Sequence, residues 1–304
     1  MAIFGWEFWL FCVTACQQPI FILPKAQKVY FYCIRNFLLS IYFLVPRSLS
    51  MSFLNTTYSS HKLMKKVQFI TVACALLMMF IGFFAYTARN EYFSVIPMLL
   101  LAVPAYFALL KTNFRKGLLF LAILSCYATA IEALSIQTSF PYGAFEYNAQ
   151  LGYKIFDLVP WTVSFGWVPL VIGCFALSSW IFKKRSHQFY AGVLFLVVSD
   201  LIIDPGAVLM NFWTWTHPGM YYSIPFSNYL GWILSSIIGG MLFFSIVPKK
   251  DIQHLPFYST YTLALGNAFW IGVTLNAGYW IPFSVGVLLQ LVVLLFCNKN
   301  FKFY

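Results

Sequence analysis

Asp200 and Asp204 lie four residues apart in the apolar run YAGVLFLVVSDLIIDPGAVLM, which ends at Met210. In a helix that spacing puts both carboxyls on one face. An ionisable group inside a membrane span is costly unless it is paired, neutralised or turned toward a polar cavity, so its presence there points first to function. A third acid, Glu132, sits in the apolar stretch SCYATAIEALSIQT. Carboxyls held in unequal environments divide the labour of acid–base chemistry: one stays protonated and donates, another stays ionised and takes a proton from water. The structural alternative for the aspartates is a helix-packing pair satisfied by neighbouring hydroxyls or amides. For Glu132 it is a carboxyl reaching toward the interface.

The elements that must hold these groups follow from composition. The chain has 304 residues, of which 61% are hydrophobic and only 9% charged, against about 25% charged in soluble domains. Its mean hydropathy is +0.79. This is the composition of an integral membrane protein, and continuous rather than alternating apolar runs indicate helices, not a barrel. The expected fold is therefore all-α, one polytopic bundle of about eight transmembrane helices at 67–86, 93–110, 116–137, 161–182, 189–210, 227–247, 258–276 and 279–297.

Charge sets the orientation. The net charge of +11 is spread in short clusters between apolar runs: Lys62, Lys65 and Lys66; Lys111, Arg115 and Lys116; Lys183, Lys184 and Arg185; Lys249 and Lys250; Lys299 and Lys302. Such clusters mark cytoplasmic loops and anionic-lipid contacts, not nucleic-acid binding. With the first cluster inside, thirteen Lys/Arg fall on the cytoplasmic side and only Arg89 and Lys154 on the other. A multi-pass protein of the cell (inner, cytoplasmic) membrane follows, with both ends of the 64–304 body inside. Residues 1–63 fit no such scheme, because the apolar stretch 29–46 carries Arg35 and the stretch 2–16 holds Glu7. They are read as a hydrophobic extension or a misassigned start, with Met51 and Met64 as alternative beginnings.

The same topology gathers the acids. Glu132, Asp200 and Asp204 are the only three of the eight acids inside expected spans, and all fall in the non-cytoplasmic half. The loops 138–161 and 211–228 emerge on that side. Asp204-Pro205 is expected to break the helix, since proline lacks an N–H and disfavours helical geometry in the residue before it. Trp213, Trp215, Tyr221 and Tyr222 form either an interfacial aromatic belt or a substrate wall. His217, near the same loop, reads as structural. The cysteines Cys12, Cys16, Cys33, Cys74, Cys126, Cys174 and Cys297 show no disulfide or zinc pattern, and the sequence has no dinucleotide fingerprint or phosphate loop.

Several strings occur together and in order: Glu132, then PYGAFEYNAQLG at 141–152 with Val159-Pro160-Trp161, DLIIDP at 200–205, WTW at 213–215 and GMYYSIPFSNYLGW at 219–232. Over residues 67–297 the chain resembles the membrane-type carotenoid hydratases. These enzymes add water to the terminal double bond of acyclic carotenoid end groups, as in γ-carotene, lycopene or bisanhydrobacterioruberin. Ser199 stands where the family usually has Trp, and Tyr142 where it usually has Phe; both departures bear on the end group preferred more than on the reaction. The resemblance implies a carotenoid substrate drawn from the bilayer and walled by Tyr142, Phe145, Tyr147, Trp213, Trp215, Tyr221, Tyr222, Asn228 and Trp232. Membrane lipid and other carotenoid biosynthesis enzymes are the remaining expected partners.

The chemistry itself assigns roles. Markovnikov hydration of a trisubstituted alkene needs a proton at the less substituted carbon, a tertiary cation, and its capture by water. Asp204 is the expected donor, with Asp200 or Glu132 orienting the water and aromatic faces stabilising the cation. No cofactor and no metal is required, since the net oxidation state does not change. Three other readings differ in kind. A proton-coupled transporter would also use intramembrane acids, but the cytoplasmic half has no ionisable residue to complete a path. A scaffold would not need the acids. Another acid-driven modification of a carotenoid end group would use the same parts.

Overall fold

Each of the eight apolar runs folds as a helix. The structure, a computed structural model, describes residues 56–88 and 95–299. Its helices are α1 (Thr56–Ala88), α2 (Val95–Thr112), α3 (Phe114–Thr138), α4 (Val163–Ile181), α5 (Arg185–Leu209), α6 (Phe226–Ile246), the short α7 (Lys249–Gln253), α8 (Tyr261–Asn276) and α9 (Trp280–Lys299). Among the described residues six are long and apolar enough to cross a membrane: α1 through Gln68–Thr87, and α2 to α6. The other two expected spans are shorter by that measure. α8 has 16 residues, a rise of about 24 Å, and is preceded by a 3₁₀ turn at Phe257–Thr260. The described apolar part of α9 is Trp280–Phe296.

The chain divides into two units, Met1–His61 and Lys62–Tyr304. Of the first, only the beginning of α1 is described. The expected extension at 1–63 otherwise lies outside the described residues, as do Arg89, Lys302 and the N-terminal cysteines.

In the second unit α4 is the axis. Trp167 to Ser178 are buried without interruption, as expected of a helix that is apolar all round, and α2, α3, α5, α6, α8 and α9 pack against it. Phe175 of α4 stacks on Phe243 of α6 at 5.6 Å, and Phe120 of α3 meets the same Phe243 edge-on at 5.5 Å. At the basic end Asn113 closes the turn between α2 and α3. Its side chain accepts the Lys116 N–H at 3.2 Å and donates to Asp251 Oδ2 at 2.7 Å, tying that turn to α7.

The opposite end departs from an all-α fold. The loop after α3 carries β1 (Phe145–Tyr147), β2 (Lys154–Ile155) and β3 (Val159–Pro160), and the loop after α5 carries β4 (Trp213–Trp215). β2 and β3 form a hairpin, whereas β1 pairs antiparallel with β4: Phe145 opposite Trp215, Glu146 opposite Thr214 and Tyr147 opposite Trp213. Buried backbone groups need partners, and this pairing supplies them while joining the two loops. The pleat turns Phe145 and Tyr147 inward and Glu146 out. The inward residues make a second apolar cluster with Tyr142, Leu151, Val159, Ala207 and Phe212, against which Trp213, Trp215, Trp232 and Trp270 pack.

Candidate active site

The helix break expected at Asp204-Pro205 is absent, and α5 runs unbroken from Arg185 to Leu209. Pro205 has no N–H to give the Leu201 carbonyl, but the Tyr221 hydroxyl donates to that oxygen at 3.0 Å. The replacement donor comes from a tight turn in which Tyr222 and Ser223 have φ of 49° and 69° and Tyr221 bridges to Ile224. α5 thus keeps its course, with both aspartates on one face, because the aromatic loop repairs it. Tyr221→Phe is expected to lower stability by about 1–3 kcal/mol, the cost of an unpartnered buried acceptor. In a Pro205→Ala background, where residue 205 regains an N–H for Leu201, the same change is expected to cost markedly less. Thermal unfolding of the four proteins measures that coupling.

The carboxyls are held from α6. Asp200, Asp204 and Asn228 are 0%, 2% and 2% exposed. The Asn228 side-chain amide, in the first turn of α6, donates to Asp200 Oδ2 at 3.0 Å and also to Asp204 Oδ2. The two carboxyls also contact each other. One amide on α6 thus bridges both carboxyls of α5. Glu132, half-buried on α3, is bonded by the Tyr147 hydroxyl, and its charge acts on Asp200. Burial, and then the charge of Glu132, holds the Tyr147 phenol well above its usual range, so it stays a donor. Burial does the same for Tyr142.

A hydroxyl chain links α3 to α6 beside this cluster. Tyr142 and Ser235 meet at 2.5 Å, and the Tyr127 hydroxyl reaches the same Ser235 at 3.4 Å. The hydroxyl that sets Tyr142 apart from the family's usual Phe is therefore the one that engages Ser235. Gly231 makes room for its ring, since a Cβ there would lie 2.4 Å from Tyr142 Cδ1. The expected wall residues sort by place. Phe145 lies 5.2 Å from Tyr147 and 6.0 Å from Trp215, and Trp213 lies edge-on to Tyr147 at 5.8 Å. Trp215 Nε1 donates to the Tyr142 carbonyl at 3.2 Å. Trp232 packs against both apolar clusters. Tyr222 turns elsewhere, its ring 4.3 Å from Tyr279 in the turn before α9, and His217 is exposed.

Residues 89–293, well over half of the chain, match the profile of a family described as carotenoid biosynthesis protein. The chain belongs to this family. It is also similar to a bisanhydrobacterioruberin hydratase of Haloarcula japonica, with 29% identity over 210 residues that cover 66% of this chain and 71% of the relative. No solved structure matches it.

In this carotenoid biosynthesis protein three carboxyls, the Asn228 amide and the phenols of Tyr142 and Tyr147 converge from α3, α5, α6 and the paired loops. Four contributors escaped the sequence reading: Tyr127, Ser235, Tyr229 and Trp270. Tyr229 follows Asn228 directly, and its buried hydroxyl has no hydrogen-bond partner. Trp270 lies over Gly206, where a Cβ would come within 2.4 Å of its ring, and so seats the end of α5. Only the Asn-Tyr sequence of NYLGW could have signalled Tyr229; the other three lie among ordinary span residues. Among the described residues no group of three or more His, Cys, Asp or Glu side chains is placed to hold a metal ion.

Proposed function

We propose that this protein hydrates the terminal carbon–carbon double bond of an acyclic carotenoid end group to a tertiary alcohol. The supporting observation is the buried aspartate pair on one amide, beside Glu132 and an aromatic sheet, in a family whose Haloarcula japonica member is named a hydratase. Asp204 gives its proton to the less substituted alkene carbon, and the π pair becomes the new C–H bond. The tertiary cation left behind is stabilised by aromatic faces, by up to about 2 kcal/mol each where water is excluded. Water adds through an oxygen lone pair and releases its extra proton to a second carboxylate. The cycle needs no redox cofactor, because addition of water leaves the net oxidation state unchanged.

The polyene enters laterally from the bilayer. A carotenoid is about as long as the ~30 Å hydrocarbon core is thick, so one end reaches the acids while the rest stays in lipid. In this reading α8 and α9, though shorter, cross the inner membrane with the six long helices, with both ends of the 64–304 body in the cytoplasm and the paired loops on the far side. Expression in a host that accumulates lycopene, with mass analysis of the pigment, tests it. The expected product has gained one water per reacted end. Unchanged pigment from host strains supplied with lycopene, γ-carotene or bisanhydrobacterioruberin would overturn the hydratase reading.

A further inference from the structure

Two polar atoms in the site have no protein partner. Asp200 accepts from Asn228 through Oδ2 only, while Oδ1 of this fully buried side chain has no hydrogen bond. The Tyr229 hydroxyl is likewise buried and unbonded. Geometry ties the two together. Tyr229 follows Asn228, which grips Asp200, and its ring meets Tyr221 edge-on at 5.8 Å, while Tyr221 bonds the carbonyl of Leu201, the next residue after Asp200. Asp200 and then Asp204 are the charges whose field acts most strongly on that hydroxyl. Buried polar groups are almost always hydrogen-bonded, to protein or to ordered water. The other carboxyls are engaged differently, Glu132 by Tyr147 and Asp204 by Asn228.

We infer that Asp200 Oδ1 and the Tyr229 hydroxyl together hold the water molecule that is added to the substrate, with Asp200 as the base that takes its proton. This rests on the hydratase reading and decides between Asp200 and Glu132 for the water. Asp204 protonates the alkene; the water oxygen forms the C–O bond at the tertiary cation; the proton it sheds passes to Asp200. Because the two aspartates contact each other, that proton returns from Asp200 to Asp204 and the pair is reset. Atoms balance as alkene plus water to alcohol.

The test separates cation formation from capture. The full chain, in nanodiscs loaded with lycopene or whichever acyclic carotene the wild type hydrates, is incubated in D₂O, and pigment is resolved by mass spectrometry. A cation that forms but is not captured loses a proton again and leaves deuterated, unhydrated carotene. Tyr229→Phe is expected to lower the ratio of hydrated to deuterated-unhydrated pigment at least tenfold. Asp200→Asn is expected to shift it the same way, which keeps the test open should the phenylalanine variant fail to accumulate. An unchanged ratio in both variants overturns the water site, as does a Tyr229→Phe protein that melts higher and turns over at the wild-type rate. A wild type that hydrates no acyclic carotene instead defeats the hydratase reading itself.

Discussion

Asp204→Asn is expected to remove water addition almost completely, by about 10²–10⁴-fold, the usual worth of a positioned general acid, while the protein still folds. The two halves of that expectation come from one geometry. Asparagine has the shape of aspartate, and its carbonyl oxygen can still accept from Asn228, so the hydrogen bond on Asp204 Oδ2 survives in kind. What disappears is the transferable proton. One of two mutually opposed buried carboxyls also disappears, so the melting temperature should hold or rise. Pigment analysis and thermal unfolding of the same preparation check both. Near-full activity would remove Asp204 from the donor role, and a collapse in stability would show that the carboxyl serves the fold.

Why Asp200 and Asp204 sit where they do was legible only in part. The apolar runs announce the helices because a bilayer admits little else, and the spacing of Asp200 and Asp204 announces a shared face. The local rule for proline, however, pointed to a break after Asp204, and α5 has none. The rule is sound about what proline removes. It is silent about Tyr221, 16 residues beyond Pro205, whose hydroxyl supplies the missing donor to Leu201. Repair at a distance cannot be read from a window of sequence.

The loops show the same limit from the other side. Phe145-Glu146-Tyr147 and Trp213-Thr214-Trp215 are too short to announce strands by alternation, and each alone reads as aromatic loop. Paired, they lock the register that turns Tyr147 toward Glu132 and Glu146 away from it. The acid that Tyr147 meets and the acid turned outward are 14 residues apart in sequence, and the pleat of a three-residue strand gives them different surroundings. Composition could mark both as acids but not which way Glu146 would point.

Asn228→Leu is expected to be the most damaging single change in stability. Leucine keeps asparagine's four side-chain heavy atoms and branch point and is at home in an apolar bundle, although its methyl groups take more room. Both aspartate Oδ2 atoms, however, lose the donor they share. A hydrogen bond to a charged group contributes about 1.5–3 kcal/mol, and a buried charge left without a partner costs about 3–5 kcal/mol, so a loss of about 3 kcal/mol or more is expected. Activity should fall by about 10²–10³-fold, the effect of removing one preorganised donor from a buried anion. The reason is that an anion deprived of its donor holds its proton more tightly, and Asp204 then becomes a poorer acid. This origin predicts its own suppressor. In Asn228→Leu/Asp200→Asn the pair no longer has two acids competing for one proton, so stability should recover most of the loss although activity does not. Thermal unfolding of the two single variants and the double one in lipid nanodiscs, with turnover measured alongside, decides it: strictly additive losses would mean that Asn228 supports α6 and not the aspartates.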